Sequence, residues 1–291
     1  MKLLTIVAFL AAPQVAGQAQ ADTAGPVTRL TRQANRLDSE GASTQARMIF
    51  QQLIDSAVDP AARAAAQRAM AMSYAFDGDC ANTVKYETQV IAYWVTRESA
   101  EPQNAFYQQG EMANEAARVC LDAGVLDTAE QLYRRGTELG LKEPEPATHP
   151  RGLWEYRLAH ALGRIAARRG NAEEAQRQIV AARRLLDSDT AMASGQERFF
   201  PYLVGYVALY TGDLAAAERE LGKAIAIEQN RRDSFMHCLL AMTYEKQGRA
   251  DDARAMYQKA YDLASGHNPP AAFTRPFTRK KLGLAGGTGG R

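Results

Sequence analysis

Six glycines, Gly41, Gly78, Gly124, Gly170, Gly212 and Gly248, stand at the centre of a pattern that narrows the fold sharply, because small residues recur around them at fixed offsets. Ala129, Ala175, Ala217 and Ala253 follow their glycine by five positions, and Tyr133, Ile179, Leu221 and Tyr257 by nine. Gly136, Ala182, Ala224 and Ala260 follow by twelve, while Ala117, Gly163, Gly205 and Ala241 precede by seven. Steps of four and three after the turn place those residues on one helical face. Small side chains there let two antiparallel helices approach closely, and the larger residue between them fills the gap. The glycine accepts the left-handed conformation that ends the first helix. Asn171, Asp213 and Asp251 supply acceptors for the free amides that begin the second. A single hairpin of this kind leaves an apolar face that only a neighbouring hairpin covers, so the pattern predicts a stack of helices.

Composition agrees with an all-α chain. It is 46% hydrophobic and 23% charged, in the globular range, with much alanine and few β-branched runs. A net charge of +2 lacks the strongly basic face expected of a nucleic-acid protein.

Within residues 239–264, Ala241, Tyr244, Gly248, Ala253, Tyr257 and Ala260 stand in the order of a tetratricopeptide repeat, which this segment resembles nearly in full. Segments 206–225 and 162–186 resemble it well, and 116–139 fits with Cys120 in a slot usually held by tyrosine. The first two units are degenerate: Leu53 fills the last small position of one, and Thr83 replaces the first post-turn alanine of the other. Turn-to-turn separations run from 36 to 46 residues, against a family period of about 34. The excess falls in the breaker-rich stretches 99–104, 142–152 and 188–196. The resemblance implies a right-handed α–α superhelix of about six helix-turn-helix units over residues 22–268. It further implies a non-catalytic scaffold that binds a protein or peptide in its concave groove.

Transferring the family's groove positions selects Asn114 and Arg118 in the third unit and Arg157, His160, Arg164 and Arg168 in the fourth. The fifth contributes Phe199, Tyr202, Tyr206 and Tyr210, and the sixth Phe235 and Met242. A cationic stripe thus stands beside an aromatic one. Arginine forks suit carboxylates, and tyrosines suit extended peptides, so an acidic partner is expected. The alternative is that the arginines form a solvated face and the rings pack on a neighbouring unit or on the C-terminal segment. A rival function is an envelope enzyme, or a small-molecule or glycan binder, that uses the same Arg/Tyr groove. Against an enzyme stands the lack of H-E-x-x-H, G-x-S-x-G, phosphate-loop and G-x-G-x-x-G motifs. His149, His160, His237 and His267 are scattered without metal-ligand spacing, so neither metal nor cofactor is expected.

Residues 1–21 read as a secretory signal peptide. Lys2 precedes an apolar run over 3–12, and Ala19-Gln20-Ala21 offers cleavage before Asp22, which points to a periplasmic or secreted protein. The run is too short to span a bilayer, and no later stretch approaches ~20 apolar residues. Export permits a disulfide. Of Cys80, Cys120 and Cys238, none forms a C-x-x-C pair. Cys80 begins one unit's second helix and Cys120 lies near the end of the next unit's first, which makes them the candidate pair. The alternative is two buried thiols. Residues 269–291 carry Arg275, Arg279, Lys280, Lys281 and Arg291 and no acid, and read as a basic, glycine-rich solvated tail after the Pro269-Pro270 stop. The alternative for this tail is a peripheral contact to an acidic partner or a membrane surface.

Overall fold

The computed structural model describes residues 25–284. The signal-peptide segment 1–21 and the glycine-rich end beyond 284 lie outside the described residues. The chain forms α1 (Pro26–Glu40), α2 (Ser43–Ser56), α3 (Pro60–Phe76), α4 (Cys80–Val95), α5 (Pro102–Asp122), α6 (Leu126–Gly140) and α7 (Arg151–Arg168). It continues with α8 (Ala172–Ser188), α9 (Thr190–Gln196), α10 (Phe200–Thr211), α11 (Leu214–Ala226), α12 (Ser234–Lys246), α13 (Ala250–Leu263) and α14 (Pro269–Leu282). No strand occurs among the described residues, and successive helices pack side by side as a helical repeat solenoid.

Each turn glycine separates the two helices of a hairpin, and all six adopt positive φ, between 69° and 95°. That region is open to glycine and strained for other residues. The small residues at the repeated offsets are buried between the paired helices. At Gly205 an added Cβ would stand 2.7 Å from Leu221 Cγ, so only glycine permits that approach of α10 to α11. Asn171 and Asp213 cap α8 and α11, each accepting from a backbone amide at 3.0 Å. Asp251 lies in the first turn of α13 and makes no cap. In the degenerate second unit, Thr83 is buried and its hydroxyl donates to the Asp79 carbonyl at 2.8 Å, so a polar residue fits the small slot. The stretch 188–196 is mostly helical, as α9, with Met192 buried. Cys80, opening α4, is joined by a disulfide to Cys120 near the end of α5, with Cα atoms 4.7 Å apart. Cys238 is free and buried.

The C-terminal segment departs from the solvated tail expected of it. Pro269 and Pro270 are not the stop expected of them: α13 already ends at Leu263, and the prolines instead open α14, a position where proline's fixed φ is favourable. Asn268 caps that helix by accepting from the Ala271 amide at 3.1 Å. α14 packs on α13 and on α1, α3, α5 and α12, which are first helices of their hairpins, so it lies on the concave side. Three of its four cations have partners in the protein. Arg275 Nε and Arg279 Nη2 donate to the Ser39 carbonyl at 3.1 and 2.5 Å, and Lys281 pairs with Glu245 at 2.7 Å. Positive charge at the end of α1 also complements the negative end of its dipole. Just before α14, His267 Nε2 meets Asp38 Oδ2 at 2.9 Å, and Ser73 Oγ donates to Asp38 Oδ1 at 2.8 Å. The end of the stack therefore touches its beginning.

Candidate functional site

The first helices of the third to sixth hairpins converge on the concave side around a cavity of about 400 Å³. α5 supplies Asn114 and Arg118, and α7 supplies Arg157, His160 and Arg164. Phe199 comes from the 3₁₀ turn Glu197–Phe199, Tyr202 from α10 and Phe235 from α12. Tyr133 of α6, Tyr156 of α7 and the Pro269-Pro270 start of α14 add to the wall, which also carries the acids Glu111, Glu115 and Asp233 with Gln196 and Met236. Arg168, Tyr206, Tyr210 and Met242 lie outside the cavity. Tyr206 is fully buried, and its ring centroid is 4.6 Å from that of Tyr210. The Arg168 guanidinium stands 5.0 Å above the Tyr210 ring. Met242 packs among the half-buried residues between the fifth and sixth hairpins.

The cavity arginines are partnered rather than solvated, and they are not equivalent. Arg157 pairs with Glu111, Arg118 Nε donates to Asp122 Oδ2 at 2.7 Å, and nearby Arg68 pairs with Glu115. Arg164 is 5% exposed. It donates to the Tyr202 hydroxyl at 3.2 Å, the Tyr133 hydroxyl at 3.1 Å and the His160 carbonyl at 3.4 Å. No carboxylate pairs with it among the described residues. Arg118 lies 4.1 Å over the Phe235 ring, and its Nη2 is buried without a hydrogen-bond partner.

His160 is held neutral: burial, reinforced by the Arg164 charge, pushes it well below the usual imidazole range. Its Nε2 lies 3.4 Å from the Phe199 carbonyl, which can only accept, so that nitrogen carries the proton. Burial raises the Tyr202 hydroxyl above its ordinary range and keeps it protonated. With Glu111 and Glu115 engaged by arginines and Asp233 by the Met236 amide, the cavity leaves hydrogen-bond donors and aromatic faces free for an anion. The aromatic stripe also packs on the C-terminal segment, with the Phe235 and Phe273 centroids 5.2 Å apart.

Several contributors escaped the sequence reading, among them Tyr156, Tyr133 and the proline pair. Tyr133 occupies the large apolar slot of its repeat, and nothing in the pattern shows that its hydroxyl reaches Arg164 across to the next hairpin. Pro269 and Pro270 carried only the signal of a helix stop. Among the described residues, no group of three or more His, Cys, Asp or Glu gathers as a metal site, and no helix is long and apolar enough to cross a membrane.

No curated protein matches the chain. The family model of the tetratricopeptide repeat matches residues 236–267, which span most of α12 and all of α13. The same arrangement of turn glycine and buried small residues recurs in the hairpins before it, and the chain is a tetratricopeptide-repeat protein.

Proposed function

We propose that the protein is a non-catalytic interaction module of the cell envelope that docks an acidic segment of a protein partner at the mouth of the concave cavity. Proteins built from this repeat serve in protein–protein interaction, and the lining of this cavity by guanidinium groups and aromatic rings carries the finer reading. α14 covers part of the concave side, so the docking surface is the cavity mouth rather than a groove along the whole stack. Arg157 and Phe199 are half-buried there and form its accessible edge. A signal peptide cleaved before Asp22 would deliver the protein to the periplasm or the exterior, an environment in keeping with the Cys80–Cys120 disulfide.

Binding of a fluorescent Glu-rich peptide and of its Lys-rich counterpart, to wild type and to Arg157→Ala/Phe199→Ala, tests this reading. The acidic peptide alone should bind saturably, and the double variant, folded by circular dichroism, should bind it at least about tenfold more weakly. Equal affinity for both peptides, or for both proteins, removes the reading. Amino-terminal sequencing of the exported protein should begin at Asp22.

A further inference from the structure

We propose that the floor of the cavity is a binding site for a small organic monocarboxylate with a flat apolar body. This goes beyond partner docking at the mouth and does not depend on it.

The first argument is charge. A buried cation is costly unless an opposite charge or a full set of hydrogen bonds compensates it. Asp122 compensates Arg118, Glu111 compensates Arg157, and Glu115 compensates Arg68. His160 is neutral. Asp233, at the rim, caps α12 by accepting from the Met236 amide at 2.9 Å, where the helix dipole favours its charge. Arg164 is left as one buried guanidinium without a counter-ion among the described residues. One negative charge matches it; a dianion exceeds it.

The second argument is hydrogen bonding. Arg164 can only donate, so the oxygens of Tyr133 and Tyr202 accept from it. Each hydroxyl keeps a proton to donate, and neither donates to an acceptor among the described residues. Arg118 Nη2 is likewise buried and unpartnered. Tyr133, Tyr202, Arg118 and Arg164 line the same cavity, whose wall also carries Glu111, Glu115 and Asp233, engaged by Arg157, Arg68 and the Met236 amide, and the unpartnered Asn114 Oδ1; none of these acceptors is hydrogen-bonded to the two hydroxyls or to Arg118 Nη2. A carboxylate offers two oxygens with about four lone-pair directions, which suits such a set.

The third argument is shape. The apolar part of the wall beyond the donors comes from Phe199, Phe235, Met236, the Tyr156 ring and the two prolines of α14. The volume, about 400 Å³, lies in the range of small-ligand sites. Flat rings and prolines favour a flat apolar body, on the scale of a single substituted ring.

Benzoate is the probe, with benzamide as its uncharged isostere and inorganic phosphate as a competing anion, each titrated into the intact protein by calorimetry and thermal shift. Benzoate should bind saturably and raise the Tm with concentration, benzamide should bind at least tenfold more weakly, and phosphate should not exceed benzoate. Arg164→Met should abolish benzoate binding. Should that variant fail to fold, Tyr133→Phe/Tyr202→Phe decides, because it removes two donors and keeps both rings; a loss of at least tenfold in affinity is expected. Equal binding of benzoate and benzamide, preference for phosphate, or unchanged affinity in the tyrosine variant overturns the proposal. Loss of Glu-rich peptide binding with benzoate binding intact removes the docking reading alone, and the converse removes this one alone.

Discussion

Glu87, in α4, is 1% exposed, and neither of its carboxylate oxygens has a hydrogen-bond partner. Burial, together with the nearby Glu115 charge, holds its carboxyl well above the ordinary value of 4.5. The folded state therefore keeps this proton at pH values where the unfolded chain has released it. Stability contributed here is present below the ordinary carboxylate range and declines as pH rises from 4.5 through the raised folded value. Glu87→Gln, which stays neutral, should be more stable than wild type at pH 7.5, with the gap narrowing toward pH 4.5. Urea midpoints at the two pH values check this, and a gap that does not change with pH would remove Glu87 as its source. Single residues also mark where sequence reasoning stops. Gly140 and Gly110 stand outside the repeated offsets, so the pattern gave them no role. In the fold both make room for the Trp154 ring of the next hairpin; a Cβ at Gly140 would meet that ring at 2.0 Å. The repeat fixes contacts within a hairpin, whereas this slot is set by a large residue from another one.

Paired helices are the level at which the sequence was most legible. Turn glycine, small offsets and interposed large residue all act inside one hairpin, over fewer than thirty residues of chain, and the structure places each hairpin where the spacing predicts. α14 was illegible because its signals conflict. A proline pair reads as a stop, and a run of cations without acids reads as solvated. Its actual partners, the Ser39 carbonyl and Glu245, lie 240 and 36 residues away from Arg279 and Lys281. The candidate site was half legible for a related reason. Register within each first helix put eight expected residues on one cavity, yet nothing local distinguishes Arg164, which lacks a carboxylate, from Arg157, which has one. The disulfide acts between elements as well, tying the start of α4 to the end of α5 across a sequence separation of 40. Closing a loop of that length restricts the unfolded chain, and reduction should cost about 2–4 kcal/mol. Urea unfolding with and without reductant measures it. Denatured, unreduced protein should yield one reactive thiol, from Cys238, and reduced protein three; three thiols without reductant would refute the pairing in the native protein.

At the scale of the molecule, the contact between the two ends of the stack is what sets this protein apart from an open array. In an open solenoid each unit touches only its neighbours, and stability is close to a sum of unit and nearest-neighbour terms. Here Asp38, 1% exposed in α1, accepts from Ser73 of α3 and pairs with His267 at the entry to α14. That one carboxylate links the first hairpin, the second and the C-terminal helix. Asp38→Ala leaves the buried Ser73 hydroxyl and the part-buried His267 ring each without this hydrogen bond, a defect worth about 2–4 kcal/mol. The loss should be local in its first effects. Amide exchange in α14 and α1 should accelerate, while α7 and α8, which reach neither residue, should keep their protection. The functional consequence follows from the Pro269-Pro270 wall: loosening α14 opens the cavity and should weaken benzoate binding without any change to the donors on α5, α6, α7 and α10. Exchange mass spectrometry and calorimetry on one preparation test both effects together. Uniform loss of protection along the chain would mean that Asp38 supports global folding alone, and unchanged exchange in α14 would mean that the closing contact carries no weight.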